Sequence, residues 1–95
     1  MFKVVQTPAF IAWLAGLRDG RAKDRILTRM VRLRSGHFGD VKFFGGIGEL
    51  RIDYGPGYRL YFTRQGREIV ILLCGGDKNS QKHDIDRARA LSKEF

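Results

Sequence analysis

The chain has one cysteine and two histidines among its 95 residues. A lone thiol cannot form a disulfide within the chain, and with two histidines beside it no zinc site can be built. Cys74 sits inside the apolar run IVILLC. It reads as a buried structural thiol, which fits a reducing cytoplasm. No apolar run approaches the roughly eighteen residues of a membrane span. The start, MFKVVQTPAF, lacks the charged-then-apolar layout of a signal peptide. Familiar enzyme signatures are absent too: there is no Gly-rich phosphate loop ending in Lys-Ser/Thr, no HExxH and no nucleophile elbow. His37 and His83 lie far apart in sequence, outside any strand pattern, and read as solvated. Without a repeat, low-complexity tract or linker, residues 1–95 are expected to form one domain.

Acidic residues are also scarce: ten stand against eighteen basic ones, a net charge of +8. Such an excess repels itself in a compact chain and favours polyanion partners. Hydrophobic residues make up 43% of the chain, so a core is possible, but a domain this short buries it thinly.

Phe2 to Gln6 reads as a first strand. Thr7 can cap the helix that follows, and Pro8 suits its first position, where no N–H is needed. Phe10, Trp13, Leu14 and Leu17 then recur at helical steps until Arg18-Asp19-Gly20 breaks the pattern. A second helix is expected over Arg21–Arg34, with Ala22, Ile26, Met30 and Leu33 on its apolar face. Its outer face carries Arg21, Lys23, Arg25, Arg29, Arg32 and Arg34 against Asp24 alone. The glycine-rich stretch Gly36–Gly48, with Lys42, Phe43 and Phe44, reads as a surface loop or irregular edge.

Two alternating runs follow across Gly55-Pro56-Gly57. Leu50, Ile52 and Tyr54 alternate with Glu49, Arg51 and Asp53; Tyr58, Leu60 and Phe62 alternate with Arg59, Tyr61 and Thr63. Ile69–Cys74 is apolar at every position and reads as a central strand. Ile85, Ala88 and Leu91 mark a C-terminal helix from about Ser80.

The order is β-α-α-β-β-β-α: an α/β (α+β) domain with a twisted, mainly antiparallel four-stranded sheet and helices on one face. Trp13, Leu14, Leu17, Ile26, Met30, Leu50, Ile52, Leu60, Phe62 and Ile71 are expected in the core. Arg51, Arg59 and Tyr61 are expected on the open side. Arg presents a bidentate fork to phosphate, Lys a point charge, and Tyr a stacking surface. The plain alternative is that Arg51 and Arg59 only pair with Glu49 and Asp53 across the strands, each pair contributing less than ~1 kcal/mol.

The run GELRIDYGPGYRLYF, followed by ILLCGGDKNSQKHDIDRA, resembles the RelE/ParE superfamily of type II toxins, and most closely its HigB-like addiction module killer branch. The resemblance covers nearly the whole chain. It implies a metal-independent, ribosome-dependent mRNA endonuclease acting in the cytoplasm, without cofactor, in which the 2′-OH of the substrate attacks the adjacent phosphate. By the same resemblance Arg51, Arg59 and Lys78 are the catalytic set, with Tyr54 or Tyr61 stacking or orienting the substrate. Arg25, Arg29, Arg32 and Lys42 are expected to contact ribosomal RNA. Glu49 replaces a lysine of the RelE pattern and could serve as base; the C-terminal tyrosine of that pattern has no match, Asp84 falling near it. The implied partners are the ribosome, mRNA and a cognate antitoxin, often a helix-turn-helix protein. The superfamily also contains ParE-like gyrase inhibitors without nuclease activity, which is the alternative reading.

Overall fold

Thr7 and Pro8 start the first helix as their chemistry dictates. The Thr7 hydroxyl accepts the Phe10 N–H at 3.1 Å and donates to the Leu73 carbonyl at 2.6 Å, so the cap also ties the helix to the sheet. Asp19 caps the next helix through the Arg21 and Ala22 amides. The computed structural model describes residues 1–95. Its elements are β1 (Lys3–Gln6), α1 (Pro8–Gly16), α2 (Gly20–Arg34), β2 (Val41–Phe44), β3 (Ile47–Ile52), β4 (Tyr58–Gln65), β5 (Ile69–Asp77), a 3-10 turn (Lys78–Ser80) and α3 (Gln81–Ser92).

The strands make one five-stranded mixed sheet in the order β1-β5-β4-β3-β2, with β1 parallel to β5 and every other pair antiparallel. This corrects the expected four strands. The extra one, β2, comes from the stretch read as a loop. Gly45 and Gly46 take φ of +36° and +92°, which lets Val41–Phe44 fold back along β3 in register with Ile47–Leu50. Flanking glycines concealed a strand of only four residues.

Helices cover both faces, not one. On the first face Phe10 of α1 and Ala22, Ile26, Met30 and Leu33 of α2 bury Leu50, Ile52, Tyr58, Leu60, Phe62, Val70 and Leu72. The expected register holds: Leu60 is fully buried and Arg59 only partly so. Trp13, Leu14 and Leu17 are half-buried at the rim of this core. On the second face α3 supplies Ala88, flanked by Ile85 and Leu91, over Ile47, Tyr61, Ile71, Leu73 and Cys74. Ile71 is therefore core, but on the opposite side from the other expected members. A β-bulge lets Leu73 and Cys74 both join this cluster: Tyr61 pairs with Cys74, Phe62 with Leu72.

Beyond the bulge, Gly75 and Gly76 face opposite helices, as successive strand residues do. A Cβ on Gly75 would enter the Trp13 ring, and one on Gly76 would enter the Asp84 carboxylate. These two glycines let α1 and α3 approach the end of β5, beside the β3–β4 turn.

Candidate functional site

The turn between β3 and β4 places the arginines. Gly55 and Gly57 take φ of +57° and +79°, a region other residues rarely enter, and the Gly57 amide closes the turn on the Tyr54 carbonyl at 3.0 Å. In this register Arg51 stands directly opposite Arg59, and Arg59 opposite Gly76 of β5. Both side chains leave the sheet on the α3 side, beyond the start of that helix. Lys78 follows β5 immediately. Arg51, Arg59 and Lys78 thus line one open cleft of about 460 Å³, together with Asp40, Asp53 and the Gly55-Pro56-Gly57 turn. A Cβ on Gly57 would press on Arg59 Nη1 and lie against the Lys78 side chain, so glycine keeps this cleft open.

The three cations are held differently. Arg51 forms an ion pair with Asp40, Nη2 to Oδ1 at 2.7 Å with Nε at 3.3 Å, and that carboxylate raises its pKa. Arg59 is half-buried and donates Nη1 to the Gly57 carbonyl at 2.6 Å. Lys78 is exposed. The cross-strand pairs of the plain alternative, with Glu49 or with Asp53, do not form; the ion pair of Arg51 is with Asp40. Asp53 lines the cleft as an exposed carboxylate without a salt bridge, a role that its place in the alternating pattern did not reveal.

Tyr61 does not face the cleft. It is fully buried beneath α3, which corrects its expected place on an open side. Opposite it stands Glu49, also fully buried, whose Oε2 accepts from Gln81 Nε2 of α3 at 2.9 Å. Burial, and then the Glu49 carboxylate, push the Tyr61 hydroxyl well above the usual tyrosine range. Glu49 Oε1, Tyr61 OH and Arg59 Nε are all buried without a hydrogen-bond partner. Asp84, buried as well, accepts from the Ser80 hydroxyl at 2.5 Å. Its depth, like that of Glu49, argues against direct contact with a substrate.

Tyr54 is likewise engaged elsewhere. Its hydroxyl donates to Asp19 Oδ2 at 3.0 Å, lowering the pKa of that carboxyl, and the Arg25 guanidinium lies 4.7 Å from its ring centroid. It braces the start of α2 instead of offering a free stacking face. Arg29 is structural too. It donates to the Arg51 carbonyl at 2.7 Å and the Phe38 carbonyl at 2.9 Å, and its half-buried guanidinium has a lowered pKa because of that burial. Lys42 sits apart on the edge strand β2, over the Phe44 ring.

Arg25 and Arg32 remain at the surface. With Arg21, Arg29 and Asp24 they line a second cleft of about 710 Å³ along α2. Ile52 and Asp53 line both clefts, so the arginine-lined cleft of α2 adjoins the Arg51–Arg59–Lys78 cleft at the Asp53 carboxylate. The amides just after β5 are already taken: Asp77 accepts the Asn79 and Ser80 N–H groups at 2.8 and 3.3 Å, so they are not free for an anion. No cluster of three or more His, Cys, Asp or Glu side chains is assembled for a metal, and no helix is long and apolar enough to cross a membrane.

Residues 13–93 match the family described as Phage derived protein Gp49-like (DUF891). An uncharacterized protein of Haemophilus influenzae is 48% identical over 94 residues, covering 98% of this chain and 95% of that protein. The likeness is therefore end to end, with the cleft-lining residues inside the matched span. The chain belongs to the Gp49-like family of phage-derived, toxin-like proteins, within the RelE/HigB-type toxin–antitoxin-like group.

Proposed function

We propose that this protein is the toxin of a type II toxin–antitoxin module, of the HigB-like kind, and that it cuts mRNA on the ribosome by a metal-independent reaction. The observation that carries the reading is the convergence of Arg51, Arg59 and Lys78 on one open cleft. A second cleft, lined along α2 by Arg21, Arg25, Arg29 and Arg32, adjoins it at Asp53 and offers cations to a phosphodiester backbone. Surface cations of this kind position a strand without reading its sequence. Arg25 and Arg32 would grip RNA directly; Arg29 would contribute by holding α2 against β3.

In the proposed reaction the substrate 2′-OH attacks the adjacent phosphorus, and the bond from phosphorus to the 5′-oxygen breaks. A 2′,3′-cyclic phosphate and a free 5′-OH result. Arg51 and Arg59 stabilise the charge on the phosphorane; neither can act as base, since a guanidinium keeps its proton. Asp53 is the cleft carboxylate without a salt bridge and takes the 2′-OH proton, while Lys78 supplies the proton to the leaving oxygen. A cognate antitoxin would restrain this activity in the cytoplasm.

The test is single-turnover cleavage of mRNA on programmed ribosomes. Arg59→Ala should slow it by about 10²–10³-fold, the usual effect of removing one stabilising donor, with the fold intact. Lys78→Ala should slow it strongly and His83→Ala barely. Wild-type cleavage rates in both Arg59→Ala and Lys78→Ala would sink the assignment. Intact mRNA alongside trapped gyrase–DNA cleavage complexes would favour the ParE-like alternative.

A further inference from the structure

The carboxylate of Glu49 is unusual for its place. It is fully buried, carries no salt bridge, and has one oxygen on Gln81 and the other on nothing. Taking an ionised carboxylate out of water costs several kcal/mol unless a cation or several donors compensate. Two potential donors beside it are also buried and unused, the Tyr61 hydroxyl and the Arg59 Nε–H. The register puts all three on one face. Glu49 pairs with Tyr61 and Arg51 with Arg59, so Glu49 and Arg59 are diagonal neighbours, about 7–8 Å or less between Cβ atoms. That is within reach of two long side chains. The other cations near this face are engaged elsewhere or exposed: Lys42, directly opposite Glu49 on β2, lies over the Phe44 ring and forms no ion pair, Arg51 is paired with Asp40, and Lys78 is exposed at the cleft.

Arg59 holds its Nη1 on the Gly57 carbonyl, part of the cleft's own turn. One rearrangement would satisfy all three unpaired atoms. If the guanidinium swings off Gly57, Nε–H can reach Glu49 Oε1, Tyr61 can donate to the same carboxylate, and both Nη groups turn outward to the cleft. We propose that Glu49 is a positioning residue for Arg59, accepting its Nε–H when an anion in the cleft draws the guanidinium off the Gly57 carbonyl. Glu49 acts only through Arg59, because α3 and Gln81 cover it from any substrate. In this arrangement the buried Glu49 carboxylate orients the diagonal arginine, Arg59. The inference rests on the cleft being a phosphate site.

Inorganic pyrophosphate titrated into the ¹⁵N-labelled protein tests it, with the side-chain Nε–H signal of Arg59 followed by NMR. That signal should shift and become protected from exchange on binding. In Glu49→Gln the protection should be lost and pyrophosphate affinity should fall about tenfold. In an Arg59→Ala background, Glu49→Gln should cost nothing more, because its effect passes through Arg59. Additive losses, or an Arg59 signal in Glu49→Gln identical to that of the bound wild type, would overturn the proposal. Should Glu49→Gln fail to fold, the wild type decides alone: no gain in Arg59 Nε–H protection on binding overturns it. Pyrophosphate binding with this coupling but no RNA cleavage would reject the nuclease reading and leave the positioning role standing. Cleavage with Glu49 and Arg59 acting independently would do the reverse.

Discussion

The two faces of the sheet are both covered by helices, yet they are built on different principles. The α1/α2 face is an apolar core in which every fully buried strand side chain is hydrophobic except for the Tyr58 hydroxyl. The α3 face mixes Ile47, Ile71, Leu73 and Cys74 with Glu49 and Tyr61, and it ends in the charged cleft. The first face supplies stability. The second gives up some of it by keeping polar groups dry beside the charged cleft, the kind of local rule-breaking found where proteins hold functional sites.

The largest effect on this contrast should come from the apolar side. Leu60 is fully buried at the centre of β4, and Leu60→Ala should cost about 2–5 kcal/mol in urea unfolding. Ile47→Ala on the α3 face should cost less, since its cluster is smaller and lies near the β2 edge, where the surroundings can relax. Equal losses would mean that the two faces are energetically alike.

A smaller effect tests the junction of the faces. Gly75→Ala pushes a methyl group into the Trp13 ring and should cost about 1–3 kcal/mol as an overpacked core. Gly20→Ala, at the start of α2, has open space around it and no positive φ. It should be neutral or stabilise by up to about 1 kcal/mol. Thermal unfolding of the two variants separates close packing from a general intolerance of substitution.

Much of the architecture was written locally. Thr7-Pro8 fixed a helix start, and the alternation through 50–54 and 58–62 fixed which side Arg51 and Arg59 occupy. That parity sets Arg51 and Arg59 side by side, whereas Lys78, beyond the end of β5, joined them through the resemblance alone. The covering of the second face was also legible in principle. An all-apolar β5 requires cover on both sides, and the amphipathic α3 was the one element left to provide it. Other features leave no local trace. Arg29 bonds to carbonyls nine and twenty-two residues away, Tyr54 to a cap thirty-five residues back, and the bulge at Leu73 shifts parity inside a run that is apolar throughout. Those depend on tertiary distances, which periodicity does not encode.

The smallest effect is the most selective, because it belongs to one face alone. Burial pushes the Cys74 thiol from its ordinary 9.0 up to about 11, and burial with the Glu49 charge raises Tyr61 further. In the unfolded chain these groups lose their protons near their ordinary values, while the folded chain still holds them. Above about pH 9 the unfolded state therefore binds fewer protons, and stability falls as pH rises. The stabilisation is fully present below pH 9 and is lost between about 9 and 11 for Cys74, with Tyr61 extending the loss to higher pH. Each group contributes a slope of at most about 1.4 kcal/mol per pH unit, less where solvent still reaches it. Urea unfolding of Cys74→Ala between pH 9 and 11 should show a shallower fall than the wild type, although the variant starts less stable. Tyr61→Phe should be near neutral at pH 7, since it removes an unpaired hydroxyl, and should flatten the slope above pH 10. If both variants track the wild-type slope, the alkaline sensitivity does not arise on the α3 face, and its buried polar groups are better solvated than their depth implies.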